Sequence, residues 1–254
     1  MRFEKWQALG NDYVIVEAPA VDPDTVTALC DRHRGVGADG VLALAPADEP
    51  GYVARLRIYN PDGSEAELSG NGARQALLYL REHGWTSSDT YSIQTVAGEI
   101  RTTITGERTC RVDMGRAIVR FDGEVDGLRF THLTIGNPQT PIRIATVEEL
   151  EQLDLPALGP PIENHEAFPN RTNVSFWTEL GPGRIRARIF ERGVGETMSS
   201  GTGASGAAVA YVLRGGDSPV TVVLDGGELE VDVDESLHVD LTGWAVPVFR
   251  GELA

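Results

Sequence analysis

The sequence predicts an α/β protein of two pseudo-symmetric domains, each a curved sheet wrapped around one central helix, and three observations carry that expectation. A motif recurs: Ser69-Gly70-Asn71-Gly72-Ala73 returns 131 positions later as Ser200-Gly201-Thr202-Gly203-Ala204. Two weaker echoes keep the same order and nearly the same spacing, Leu9-Gly10-Asn11 against Ile135-Gly136-Asn137 and Gly98-Glu99-Ile100 against Gly227-Glu228-Leu229. So long a period describes two related domains, not a solenoid of short units. The length of 254 residues suits two compact domains of about 100 to 150 residues each.

In chain order, Asp22 is placed to cap a helix with Pro23 at its first position, running to about Arg32. An Asp side chain accepts from first-turn N–H groups, and proline has no N–H to lose there. Val53 to Tyr59 alternates as a strand, and Asn71 to His83 sets Ala73, Ala76, Leu77 and Leu80 on one helical face. Ser92 to Gln94, a turn at Ala97-Gly98, and Glu99 to Ile104 read as a hairpin. The boundary between halves is expected near Gly115, giving domains 1–114 and 115–245.

In the second half Thr146 heads a helix from Val147 to Leu153, and Arg184 to Phe190 alternates as a strand. Gly203 to Leu213 is apolar almost all round, which predicts a helix buried within sheet. Val220 to Leu224, a turn at Gly226-Gly227, and Glu228 to Val233 form the second hairpin.

The net charge of −16 argues against a nucleic-acid partner, which demands clustered Lys and Arg. It does not exclude a small anion, because local donors outweigh a distant field screened over about 8 Å. No long apolar run follows Met1, so neither a signal peptide nor a membrane span is expected and the chain reads as cytoplasmic. Cys30 and Cys110 are the only cysteines, without metal-type spacing. There is no Walker loop, no complete GxGxxG and no HExxH. Lys5, the only lysine, lies in an N-terminal strand and is a poor Schiff-base candidate. No cofactor and no metal are therefore expected.

A short polar loop followed by a helix that opens Ser-Gly-x-Gly is a device for holding an anion. Its glycines admit a ligand close to the backbone, its first-turn N–H groups lack partners, and the helix dipole favours negative charge. Two such starts related by pseudo-symmetry are expected to face each other across an interdomain cleft, with a carboxylate between them. That suits a reaction taking a proton from one face of a carbon and returning one to the other.

These motifs carry a family resemblance. Leu9 to Tyr13, Arg32 to Gly40, Asn60 to Glu67, Gly70 to Arg74, Gly136 to Pro138, Asn170 to Asn173, Glu191 to Thr197 and Gly201 to Ala204 resemble, in order, the motifs of the diaminopimelate epimerase family. The resemblance implies that family's fold and a cofactor-free interconversion of LL- and meso-diaminopimelate, serving lysine and cell-wall synthesis. It places the reacting carboxylate on Gly70, Asn71, Gly201 and Thr202, and the rest of the substrate on Asn11, Asn60, Asn137, Asn173, Glu191 and Arg192. It also implies that 246–254 returns to the first domain as an extra strand, and that the chain forms a homodimer.

One departure matters. The family places cysteine, its proton-transferring residue, before each Gly-x-Gly, where this chain has Ser69 and Ser200. A thiol has a pKa near 8.5 and a helix N-terminus lowers it, whereas a hydroxyl starts many units higher and about 2 kcal/mol of dipole stabilisation does not ionise it. A serine base needs a neighbour, and Glu65 and Glu196, each four residues before its serine, are the candidates that symmetry offers. Three accounts stay open: a divergent enzyme, acting as this epimerase or as another amino-acid isomerase or lyase; a catalytically weak amino-acid-binding protein; or an engineered Cys-to-Ser variant. Gln75, Gln139 and Ser205 also depart from the family pattern, which favours divergence over two deliberate edits.

Overall fold

The repeat in the sequence is a repeat of strand pairings. A computed structural model, describing residues 1–67 and 69–253, divides into two compact units, Met1–Val112 with Gly243–Ala254, and Asp113–Thr242.

In the first unit β1 (Arg2–Ala8) and β2 (Asn11–Glu17) pair antiparallel, α1 (Pro23–Cys30) crosses over, and β3 (Val41–Ala45) returns parallel to β2. Then β4 (Arg55–Tyr59) lies antiparallel to β3, and β5 (Glu65–Ala66) folds back on β4 and leads into α2 (Gly70–Glu82). The unit continues with β6 (Thr90–Thr95) parallel to β4, followed by β7 (Gly98–Gly106) and β8 (Thr109–Arg116). The boundary expected at Gly115 lies inside β8.

The second unit repeats this order. After β9 (Ile118–Val125) come β10 (Leu128–Ile135) and β11 (Asn137–Arg143), the crossover α3 (Val147–Glu151) and α4 (Leu155–Glu163), and β12 (Asn173–Gly181) parallel to β11. Next β13 (Arg184–Glu191) and the short return strand β14 (Gly195–Thr197) lead into α5 (Gly201–Leu213). Then β15 (Val220–Leu224) runs parallel to β13, followed by β16 (Gly227–Val233) and β17 (His238–Trp244). Finally β18 (Val246–Glu252) pairs antiparallel with β1, as β9 pairs with β10.

Each long helix is the core of its unit. From Gly201 to Tyr211 every residue of α5 is buried, against β10 to β13, β15 and β16, which is why its alanines and glycines leave no polar stripe. Residues Asn71 to Leu80 of α2 are likewise buried, against β1 to β4 and β7.

Three local expectations shift for identifiable reasons. Helix α1 stops at Cys30, short of Arg32, because the Asp31 carboxylate takes the N–H groups of His33 and Arg34 and starts a turn. Helix α4 is hidden in the sequence by Pro160 and Pro161, yet Asp154 caps it, and Gly159 lets it approach Phe190, whose ring a Cβ would meet at 2.3 Å. Both hairpin turns fall one residue early, so that Gly98 and Gly227, with φ of 114° and 138°, open the return strands. Among the described residues no helix is long and apolar enough to cross a membrane.

Candidate functional site

Ser69 and Ser200 are the N-caps of α2 and α5, both in extended conformation, and each hydroxyl oxygen accepts the N–H of the third helical residue: Gly72 at 3.0 Å, Gly203 at 3.3 Å. The glycines are required at these starts. A Cβ on Gly203 would lie 2.9 Å from Ile189 Cγ2 and one on Gly72 3.1 Å from Leu42 Cδ2. The remaining first-turn donors of each helix can meet an anion.

At α5 the serine hydroxyl donates to Glu191 Oε2 at 3.0 Å, and Glu191 Oε1 accepts from Thr197 Oγ1 at 2.8 Å. Burial pushes the Glu191 carboxyl above the usual range, only partly offset by the Thr197 and Ser200 hydrogen bonds. A carboxylate with a raised pKa is a stronger base, here placed against the Ser200 hydroxyl proton.

At α2 the partner is different. The Tyr13 hydroxyl donates to Ser69 Oγ at 3.1 Å, so this oxygen accepts from both a phenol and a helix N–H. One turn on, Arg74 is fully buried, with its guanidinium donating to the Gly70 carbonyl and to Asn71 Oδ1, and its Nε without a partner. Burial lowers its pKa to about 10, which leaves it cationic at neutral pH.

Glu65 and Glu196 are not the serines' helpers. Arg57 grips Glu65 through two bonds of 2.7 and 2.8 Å, holding its carboxyl low, and Arg188 holds Glu196 Oε1 at 2.6 and 3.1 Å. The spacing correctly marks them as equivalent, but the two arginines lie on neighbouring strands and sequence distance did not reveal the pairing.

The amides expected to hold substrate divide into groups. Asn11 donates its side-chain amide to Asp39 at 2.8 Å, while its backbone carbonyl accepts Gln75 Nε2 and so ties β2 to α2. Asn60 stays within its own turn, donating to Ser64 Oγ at 2.9 Å. Asn137 donates weakly to Thr202 Oγ1 at 3.4 Å and accepts from the buried Gln139. Asn173 is buried and spans the Pro138 carbonyl and the Arg192 N–H, so it orders the chain around the site. Arg192 donates to the Asn170 carbonyl at 2.8 Å and makes no ion pair among the described residues. The second unit thus brings together Asn137, Asn173, Glu191, Arg192, Ser200, Gly201 and Thr202.

Sequence reasoning missed Tyr13, Arg74, Thr197 and Glu163. The buried Glu163 carboxylate accepts both Arg171 and the Gly193 N–H, fastening the two loops that carry Asn173 and Arg192. Tyr13 and Arg74 sit inside motifs already singled out, and only their depth was illegible.

Other chemistries find little footing. The Lys5 ammonium lies 2.7 Å from Asp12 and 2.6 Å from the Gly37 carbonyl, committed to structure. Cys30 and Cys110 are buried, and desolvation pushes each thiol to about 11, so neither ionises near neutrality. Among the described residues Asp113, His238 and Asp240 form a group with metal-ligand chemistry, in which His238 and Asp113 already pair at 3.0 Å.

Known proteins resemble this chain in sequence and in fold. The sequence model of one family, described as diaminopimelate epimerase, matches residues 3–119 and 132–246. A diaminopimelate epimerase of Synechococcus sp. (strain JA-3-3Ab) is 40% identical, over 100% of this chain and 98% of its own. That of Magnetococcus marinus is 42% identical, over 99% and 96%. Among solved structures, a phenazine biosynthesis protein of the PhzF family from Bacillus anthracis superposes with a TM-score of 0.76 at 18% identity, over 100% of this chain and 99% of its own. A hydroxyproline epimerase from Agrobacterium vitis with bound trans-4-hydroxy-L-proline gives 0.71 at 16%, over 99% and 91%. At such identities the two structures speak for the fold alone.

Proposed function

Since the chain belongs to the diaminopimelate epimerase family, we propose that it interconverts LL- and meso-diaminopimelate in lysine biosynthesis, with Ser69 and Ser200 as its proton-transferring residues. The observation that carries this reading is the 3.0 Å bond from Ser200 Oγ to the half-buried Glu191 carboxylate. A lone serine is too weak a base, but a serine that hands its proton to a carboxylate as it receives one has the base strength of the carboxylate. The Cα–H bond breaks, an O–H bond forms on Ser200, and the serine's own proton passes to Glu191. The electron pair left on Cα delocalises into the substrate carboxylate, whose charge the first-turn N–H groups of Gly70, Asn71, Gly201 and Thr202 stabilise.

Arg192, with no carboxylate partner among the described residues, is available for one on the substrate, and the Asn11 amide, which offers both a donor and an acceptor, suits the substrate's amino-acid end. Asn60, Asn137 and Asn173 complete the binding set, Asn173 by holding the Arg192 backbone in place. The resemblance also supports a cytoplasmic homodimer, which sedimentation would read as twice the chain mass.

The test is proton NMR with LL-diaminopimelate in heavy water. Loss of the α-proton signal together with growth of the meso isomer is the expected outcome. Saturable binding without exchange would make the chain an amino-acid-binding protein, and exchange of a different amino acid would redirect the substrate.

A further inference from the structure

Among the described residues no carboxylate is hydrogen-bonded to the serine of the first unit, and Arg57 occupies Glu65. Its hydroxyl oxygen nevertheless accepts two hydrogen bonds, from the Gly72 N–H and from the Tyr13 phenol at 3.1 Å. With both lone-pair directions engaged, the serine's own proton points away from protein donors. An oxygen so arranged is set to give its proton and to be resupplied from behind.

Tyr13 is held for that contact. It lies on β2, opposite Trp6 of β1, and is 7% exposed. Its ring rests where Gly40 has no side chain: a Cβ there would stand 2.6 Å from Tyr13 Cε1 and 2.3 Å from the Tyr59 carbonyl oxygen. Gly40 in turn is fixed by accepting the Val14 N–H at 3.0 Å. The phenol is therefore built into the sheet.

Resting on the epimerase reading, we propose that Tyr13 is the proton partner of Ser69, so that the two units run unlike relays: serine and carboxylate in one, serine and phenol in the other. As the carbanion is quenched, the Ser69 O–H bond breaks and a Cα–H bond forms. The Tyr13 O–H bond breaks as its proton replaces the one Ser69 gave, and the charge comes to rest on the phenolate. The reverse reaction runs the same steps backwards, Ser69 taking the α-proton while its own returns to Tyr13. A tyrosine, with an ordinary pKa near 10, starts protonated at neutral pH, so the first unit rests as the donor and the second as the acceptor. Tyr13 touches no substrate; it acts through Ser69.

The experiment uses Tyr13→Phe, which keeps the ring and removes the hydroxyl, and follows both isomers of diaminopimelate in heavy water. Inversion and α-proton exchange are read separately. From the isomer whose proton is taken at Ser200, exchange continues while inversion falls at least about ten-fold, because Glu191 can still remove and return a deuteron but Ser69 is not resupplied. From the other isomer both fall together. Ser69→Cys, whose thiol ionises without help, shrinks the loss caused by Tyr13→Phe at least about three-fold.

An equal fall of exchange and inversion from both isomers, undiminished in the Ser69→Cys background, would show Tyr13 to be packing only. Inversion at the parental rate in Tyr13→Phe also overturns the proposal, while leaving the epimerase reading intact. A parent protein that exchanges nothing overturns both.

Discussion

The starts of α2 and α5 have one backbone and two electrostatic characters. Each is capped by a serine, each is followed by glycine, and each is preceded by an arginine–glutamate pair on equivalent strands, Arg57 with Glu65 and Arg188 with Glu196. Even the polar side chain four residues into the helix does the same work, Arg74 donating to the Gly70 carbonyl and Ser205 to the Gly201 carbonyl. The charges differ. The α2 start has a buried guanidinium and a phenol, and the α5 start has a half-buried carboxylate and a neutral hydroxyl. Duplication supplies the same capped helix start twice, and the side chains laid on it give one serine a phenol and the other a carboxylate.

Glu191→Gln should break the comparison hardest. The amide keeps the shape and cannot take the Ser200 proton, so exchange and inversion should fall by roughly 10²- to 10⁴-fold. The parent's pH profile carries the same information. Burial raises the Glu191 pKa, so the rate should rise with pH through a value above the ordinary glutamate range, and that limb should vanish in the variant. The stability effect has the opposite sign. A carboxyl whose folded pKa lies above its unfolded one favours folding below the unfolded pKa, and that contribution is lost as pH rises through the folded value. Above its folded pKa the desolvated carboxylate is therefore a cost, and there Glu191→Gln should unfold at a higher temperature than the parent while being nearly inactive. A variant both inactive and less stable would mark Glu191 as structural.

Arg74→Gln tests the other side. On the epimerase reading, removing the buried cation one turn into α2 leaves its first-turn N–H groups and dipole without the guanidinium that bonds the Gly70 carbonyl and Asn71. The expected result is about a ten-fold rise in KM, equivalent to about 1.4 kcal/mol, with a smaller fall in kcat. A change in kcat alone would mean that the guanidinium acts on the transition state, not on binding.

Much of the fold was legible because its signals are local and doubled. Ser-Gly-x-Gly before an apolar run marks both helix starts, and Gly227 repeats the hairpin signal of Gly98. Helix α4 was illegible because two internal prolines and a glycine contradict helix propensity, and the contact of Gly159 with Phe190 that rewards them is tertiary. The candidate site was legible in its caps and not in its partners. Ser200 and Glu191 are nine residues apart across a strand return, and Tyr13 meets Ser69 over fifty-six residues. Which hydroxyl the Tyr13 phenol reaches depends on where α2 packs, and no local pattern reports that. The helper carboxylates failed for a related reason: symmetry shows that Glu65 and Glu196 are equivalent, and equivalence is silent about charge partners.

That failure yields the smallest expected effect. Arg57–Glu65 and Arg188–Glu196 are partly exposed pairs, which contribute about 0 to 1 kcal/mol each. Glu65→Gln should lower the unfolding temperature by no more than a few degrees and leave the exchange rate within about two-fold. Glu196→Gln should behave similarly but less mildly, because Arg188 also donates to the Leu150 and Leu153 carbonyls and closes the end of α3. Once released from Glu196 the guanidinium keeps those two bonds, so the loss is that of one ion pair and not of the whole contact. If Glu196→Gln instead abolished exchange while Glu65→Gln did not, the acceptor in the second unit would be Glu196, and the short bond between Ser200 and Glu191 would be a cap without a catalytic consequence.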